Sequence, residues 1–314
     1  MSRNGLPWAA TSVPAVRHHW CNALQATVEN HTRALDPDIA QSQSARLKRM
    51  QDKLSEVIDE MAAEAEALRA AEMYWVTRDM VDLVVDAAEG LPEWTPAIAA
   101  PSPNGLMCWA KPAGHVPYGA ALKYDLDVPW DAVFWRTRPD GVMQIVPASR
   151  LTKNQELLEP FGVKTPLWAA HTLVLDPEAI RSEEATGSSE AHRFVSVVGA
   201  AWLLMGQSGV AGTRTIGDRA PATTDNSAAA KTPTAASTVT LIDLRRPADN
   251  GHDSKGKPTS GREFQQRWWV GPHWRQQPCG PGRTQRKPVF IAPYVKGPED
   301  KPLVAKERVN VLRR

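Results

Sequence analysis

The spacing of apolar residues along this 314-residue chain first changes near Gly90, and that change limits the possible folds more than any other feature. Before it, Val13, Val16, Trp20, Leu24 and Val28 recur at three- and four-residue steps, which describes one face of a helix. Asp36-Pro37-Asp38 interrupts the pattern, and Leu47, Met50, Leu54, Val57, Met61 and Leu68 then follow at near-heptad spacing with Glu64 in the seam. Two antiparallel helices meeting along this seam would hide both stripes; alternatively, residues 44–70 pair with a second copy or another protein. Helicity is expected to continue through Met73, Met80, Val84 and Val85 to a stop at Gly90 and Pro92.

After Gly90 the pattern is that of strands. Asn104-Gly105 precedes the apolar run Leu106 to Ala110, and Ala132 to Thr137 is joined to Val142 to Val146 through Arg138-Pro139-Asp140-Gly141. Proline presets a turn dihedral and glycine accepts a positive one, so this is a hairpin. Pro166 to Leu175 reads as a further strand, and Ser189 to Gln207, with Phe194, Val197, Val198, Ala201, Trp202, Leu203 and Met205, reads as an apolar helix covering the sheet. From Ser208 to Ser237 the chain is mostly Gly, Ala, Thr, Pro and Ser, too poor in apolar anchors to offset the entropy of ordering, and reads as a disordered linker or insertion.

Thr238 to Arg246, Phe264 to Gln277, Pro288 to Val295 and Arg308 to Leu312 are β-type runs around the polar loop Pro247 to Gly261. The expected class is α+β: an N-terminal helical hairpin (1–90), an antiparallel sheet with a covering helix (91–207), the linker (208–237), and a basic C-terminal sheet or small, partly open barrel (238–314).

Charge follows the same division. The overall +2 conceals 21 basic and 28 acidic residues over 1–240 against 16 and 7 over 241–314. A basic module of this kind attracts phosphates or an acidic surface over roughly a Debye length, about 8 Å at physiological salt. Cys21, Cys108 and Cys279 are odd in number and widely spaced, which favours a reducing compartment over a disulfide framework. With no secretory-type N-terminus and no apolar run of spanning length, the expected location is the cytoplasm, away from membranes.

The candidate site is Arg267-Trp268-Trp269-Val270-Gly271-Pro272-His273-Trp274-Arg275-Gln276-Gln277 with the following Arg283, Arg286 and Lys287 and, further on, Lys296. Guanidinium and ammonium groups interleaved with indoles are what phosphate contact and base stacking require, so Arg267, Trp269, Trp274, Arg275, Arg283, Arg286, Lys287 and Lys296 are the expected nucleic-acid contacts. RNA is expected ahead of DNA because no basic helix suited to a major groove is visible. Gly271-Pro272 permits a bulge, which leaves the face assignment of the residues after it open. A catalytic alternative, metal-independent RNA cleavage, would use His273 as acid or base. No metal or cofactor is expected: His18-His19 with Cys21 lacks a completing cluster, Gly206, Gly209 and Gly212 lack the Lys-Ser/Thr of a phosphate loop, and no GxSxG, HExxH or DxDxDG pattern occurs.

The stretches Trp269 to Gln277, Gly280 to Arg283, and Ile291 to Pro298 followed by Pro302-Leu303 resemble the end of an uncharacterised family associated with actinobacteria and their phages or plasmids. That end runs through a tryptophan-valine strand, Gly-His-Trp-Arg-x-Gln, a Gly/Arg turn and Ile-x-Pro-Tyr-x-Lys-Gly-Pro; Pro272 is an extra residue here. The resemblance implies a source and a boundary near residue 238, and no activity.

Overall fold

The computed structural model describes residues 7–35, 44–118, 126–153, 165–169, 172–182, 190–217, 238–245, 264–298 and 301–304. Helices α1 (Val13–Ala34) and α2 (Ala45–Ala70) form the expected N-terminal pair, with Ser44 capping α2 by accepting from the Leu47 amide. The chain then enters strand β1 (Glu72–Val76) and helix α3 (Arg78–Ala88), passes a single-turn helix α4 (Pro96–Ala99), and continues through β2 (Asn104–Trp109), β3 (His115–Tyr118), β4 (Leu126–Pro129), β5 (Ala132–Thr137), β6 (Met143–Arg150), β7 (Leu167–Ala169) and β8 (Leu173–Leu175). Helix α5 (Glu190–Met205), β9 (Ala211–Gly217) and β10 (Thr238–Leu244) follow, and the C-terminal region adds β11 (Arg267–Val270), β12 (His273–Cys279), β13 (Gln285–Ile291), β14 (Tyr294–Lys296) and β15 (Leu303–Val304).

The class is α+β, and no closed barrel forms among the described residues. Eight strands make one mixed sheet in the order β7-β6-β5-β2-β1-β10-β9, with β8 also on β6. The sheet departs from the expected antiparallel pattern at its centre, where β1 runs parallel to both β2 and β10.

Alternation along these strands builds two cores. Met73 and Trp75 join Leu106, Cys108 and Phe134 under α1 and α2, whereas Tyr74 and Val76 join Met107, Trp109 and Trp135 under α3 and α5. A strand covered on both faces reads as a continuous apolar run, which is why Glu-Met-Tyr-Trp-Val passes for more helix in the sequence. The α1 layer is tied down by Arg17 donating to the Ala71 carbonyl at 2.8 Å, and Trp8 Nε1 donates to the Trp109 carbonyl at 2.8 Å. On the other layer Gly199 is required because Trp94 lies against it: a Cβ there would sit 2.3 Å from the indole. The β5–β6 hairpin forms as expected, with Gly141 at φ +84°.

The expected boundaries move. Ala211–Gly217, read as linker, is an edge strand paired antiparallel to β10, since an edge with one exposed face needs few apolar anchors. Strand β10, expected to open the C-terminal region, lies inside the main sheet between β1 and β9. Residues 218–237, the 247–261 loop and the expected strand at 308–312 fall outside the described residues. The 166–175 run is two short strands, β7 and β8, end to end along one edge of β6. Among the described residues no helix is long and apolar enough to cross a membrane.

Candidate nucleic-acid interface

The C-terminal strands form two small sheets rather than one: β14-β11-β15, and the two-stranded hairpin β12–β13. Register in the hairpin assigns its faces. Trp274 lies opposite Phe290, Gln276 opposite Pro288 and Pro278 opposite Arg286; on the other side of the ribbon His273 meets Ile291, Arg275 meets Val289 and Gln277 meets Lys287.

The first face docks on the body. Trp274 packs edge-on to Phe290 at 5.1 Å and its Nε1 donates to the Ala87 carbonyl at the end of α3, 2.8 Å away. Phe290 is 3% exposed, and its amide donates to Gln207 Oε1 at 2.7 Å. Trp274, one of the expected contacts, is half-buried and serves as an anchor of the hairpin on the body. Arg286 shares this face nearer the turn, exposed beside a cleft of about 320 Å³ that is also lined by Glu93, Trp94, Ile98, Ile180 and Leu203.

The second face looks outward. His273, Arg275, Gln277 and Lys287 are all exposed along it. The connecting turn holds Gly280 at φ +75° and Gly282 at +65°, and Arg283 also adopts a positive φ of +57°, which turns an exposed guanidinium out at the hairpin tip.

The β11 sheet contributes a different arrangement. Lys296 stands across from Trp268, and its Nζ lies 5.8 Å from the Trp268 ring and 6.0 Å from that of Phe264, while the two rings meet edge to face at 5.1 Å. Phe264 is 39% exposed and Tyr294 42%, so the cluster reaches solvent. Gly297 at φ +121° closes this corner, where a Cβ would lie 2.6 Å from the Gln266 carbonyl oxygen. Arg267 is half-buried, and the Trp269 backbone pairs with Val295; the Trp269 side chain lies outside what the structure describes.

Residues 264–298 contain six Lys and Arg and no Asp or Glu. Among the described residues, none of these six cations forms an ion pair; every such pair lies in the N-terminal and central layers. His273 has one contact, Nδ1 at 3.0 Å from the Gly271 carbonyl, which leaves Nε2 without an acid or base beside it among the described residues. No cluster of metal-ligating side chains occurs among them either.

The structure thus brings together Arg275, Lys287 and Arg283 on one outward surface, sets Arg286 on the neighbouring face and places Lys296 on an aromatic pair. Trp268 lies within the candidate segment but not among its expected contacts, and Phe264 lies outside it, because the role of both depends on the β11–β14 pairing; the Trp-Arg interleaving is the one local signal near them. No family model matches the chain, and neither any curated protein nor any solved structure does.

Proposed function

We propose that the C-terminal β region binds nucleic acid, RNA ahead of DNA, by phosphate contact and aromatic stacking. The observation that carries this reading is the 35-residue stretch with six cations and no carboxylate, whose outer face leaves Arg275, Arg283 and Lys287 exposed and without an ion-pair partner among the described residues. Neutralising phosphates releases counterions, and such cations are suited to that because they need break no internal ion pair first. Phe264, Trp268 and Lys296 supply the π-face and a cation beside it, a combination that supports base stacking without sequence readout. The exposed cations sit on strands and a tight turn, a geometry that favours single strands and loops over a major groove. His273 lies in the middle of this surface without a proton-transfer partner among the described residues, so binding rather than cleavage is the activity supported.

The test is a titration of the full chain with single-stranded RNA, single-stranded DNA and duplex DNA at several salt concentrations. Roughly three to five phosphate contacts predict a log K against log salt slope of about −2 to −4 for single strands. Absence of binding at low salt, or binding that ignores salt, overturns the proposal.

A further inference from the structure

The N-terminal half of helix α2 leaves three large apolar side chains of its stripe, Leu47, Met50 and Val57, exposed among the described residues. Ile58 and Ala65 are 7% and 0% exposed, with Cys21 of α1 placed 3.9 Å from the Ala65 carbonyl. Val57 lies one residue round the helix from Ile58, about 100° away, whereas Leu68 at the far end of the stripe is buried in the core. Leu47, Met50 and Val57 are 43%, 59% and 51% exposed, and Leu54 between them is half-buried. Glu64, in the same seam, is occupied elsewhere: it accepts from Gln144 Nε2 of the sheet at 2.8 Å, which ends the stripe there.

Charge along the helix is polarised. Arg46, Lys48, Arg49 and Lys53, with Asp52 among them, fall in its first turns, and Glu56, Asp59, Glu60, Glu64 and Glu66, then Arg69, follow. We propose that two copies of this chain pair through α2 in antiparallel orientation, Leu47 of one against Val57 of the other and Met50 against Leu54, about a two-fold axis near residue 52. This orientation sets the basic Arg46, Lys48 and Arg49 of each copy along the acidic Glu56 and Asp59 of the other, whereas a parallel pair would set the basic turns side by side. The same patch serves on both copies, as a two-fold interface requires. The seam is shorter than a standard interface of about 800 Å² per partner, so the dimer is weak, with a Kd on the order of micromolar. The inference is independent of nucleic-acid binding.

Sedimentation of the full chain across concentrations below and above micromolar tests it. The expected result is a shift from the 34.5 kDa monomer toward twice that mass, abolished by Met50→Glu with Val57→Glu while the thermal transition stays in place. Orientation is read by cross-linking in a Cys279→Ser background. Leu47→Cys mixed with Val57→Cys should yield a disulfide-linked heterodimer, and each variant alone should link poorly. A monomer at every concentration, or linking of each variant to itself in preference to the mixed pair, overturns the proposal.

Discussion

Arg136 and Arg275 both sit on strands of antiparallel hairpins, yet the molecule treats them in opposite ways. Arg136, on β5, is 2% exposed: its Nε donates to Gln144 Oε1 at 2.7 Å and its guanidinium meets Glu60 of α2. Arg275, on β12, is exposed and meets no carboxylate among the described residues. The same contrast holds for Asp131, fully buried between Arg150 at 3.4 Å and Lys153 at 2.5 Å, against the carboxylate-free stretch 264–298. In the three-layer body a charge is a fastener, because a buried ion is tolerated only with its partners in place. In the C-terminal region Lys296 lies against two aromatic rings and the six cations meet no carboxylate among the described residues.

The sharpest break in this comparison is the exchange of effects between the two arginines. Arg136→Ala removes the buried guanidinium that holds Glu60 and leaves Gln144 Oε1 without its donor, although Glu60 keeps Arg138, and should cost about 3–5 kcal/mol in urea unfolding, whereas Arg275→Ala should stay within about 0.5 kcal/mol. Comparable losses from both would show that the tail cations are structural after all.

Next in size is the division of labour between indoles. Trp274→Ala removes the Ala87 hydrogen bond and the Phe290 contact and should lower stability by about 2–4 kcal/mol, while Trp268→Ala should cost about 1–2 kcal/mol of RNA affinity with a smaller effect on folding. Measuring unfolding and anisotropy on both variants separates anchor from platform, and the reverse pattern refutes the assignment.

The triple change Arg275→Ala, Arg283→Ala and Lys287→Ala should make the salt slope of RNA binding shallower by about 2 and leave the thermal transition within a few degrees. An unchanged slope places the phosphate contacts elsewhere.

The smallest effect concerns pH. Burial raises the Glu64 carboxyl above its ordinary value of 4.5, against a lowering from the Gln144 hydrogen bond and the Arg136 charge. A carboxyl with a raised folded-state pKa binds its proton more tightly when folded, so its stabilising share is present below the unfolded pKa and is lost as pH rises through the folded one. Glu64→Gln should therefore flatten the decline in stability with rising pH just above 4.5, read by urea unfolding at stepped pH. A curve as steep as that of the parent chain refutes a role for Glu64.

Several elements are legible from local chemistry. Pro139 and Gly141 specify the β5–β6 turn, and the apolar run from Phe194 to Leu204 specifies a helix that covers the sheet. Others mislead for one reason. Glu72–Val76 lacks polar alternation because both its faces are buried, and Ala211–Gly217 is poor in apolar residues because it lies at an edge; in both, the neighbours rather than the segment decide. The candidate site divides similarly. The basic, carboxylate-poor character of the tail is written in its composition, but the inward turn of Trp274 depends on Ala87, distant in sequence, and the Phe264–Trp268–Lys296 cluster on a strand pairing.

By itself, then, the amino-acid order determined the α+β class, the heptad stripe of α2 and the cationic tail, because periodicity and charge are properties of short stretches. Only the tertiary structure decided that Leu68 is buried while Leu47, Met50 and Val57 stay exposed, that Glu64 answers to Gln144, and that Trp274 anchors its hairpin at Ala87. Spacing states which residues share a face, whereas water or protein on that face is chosen by segments far along the chain.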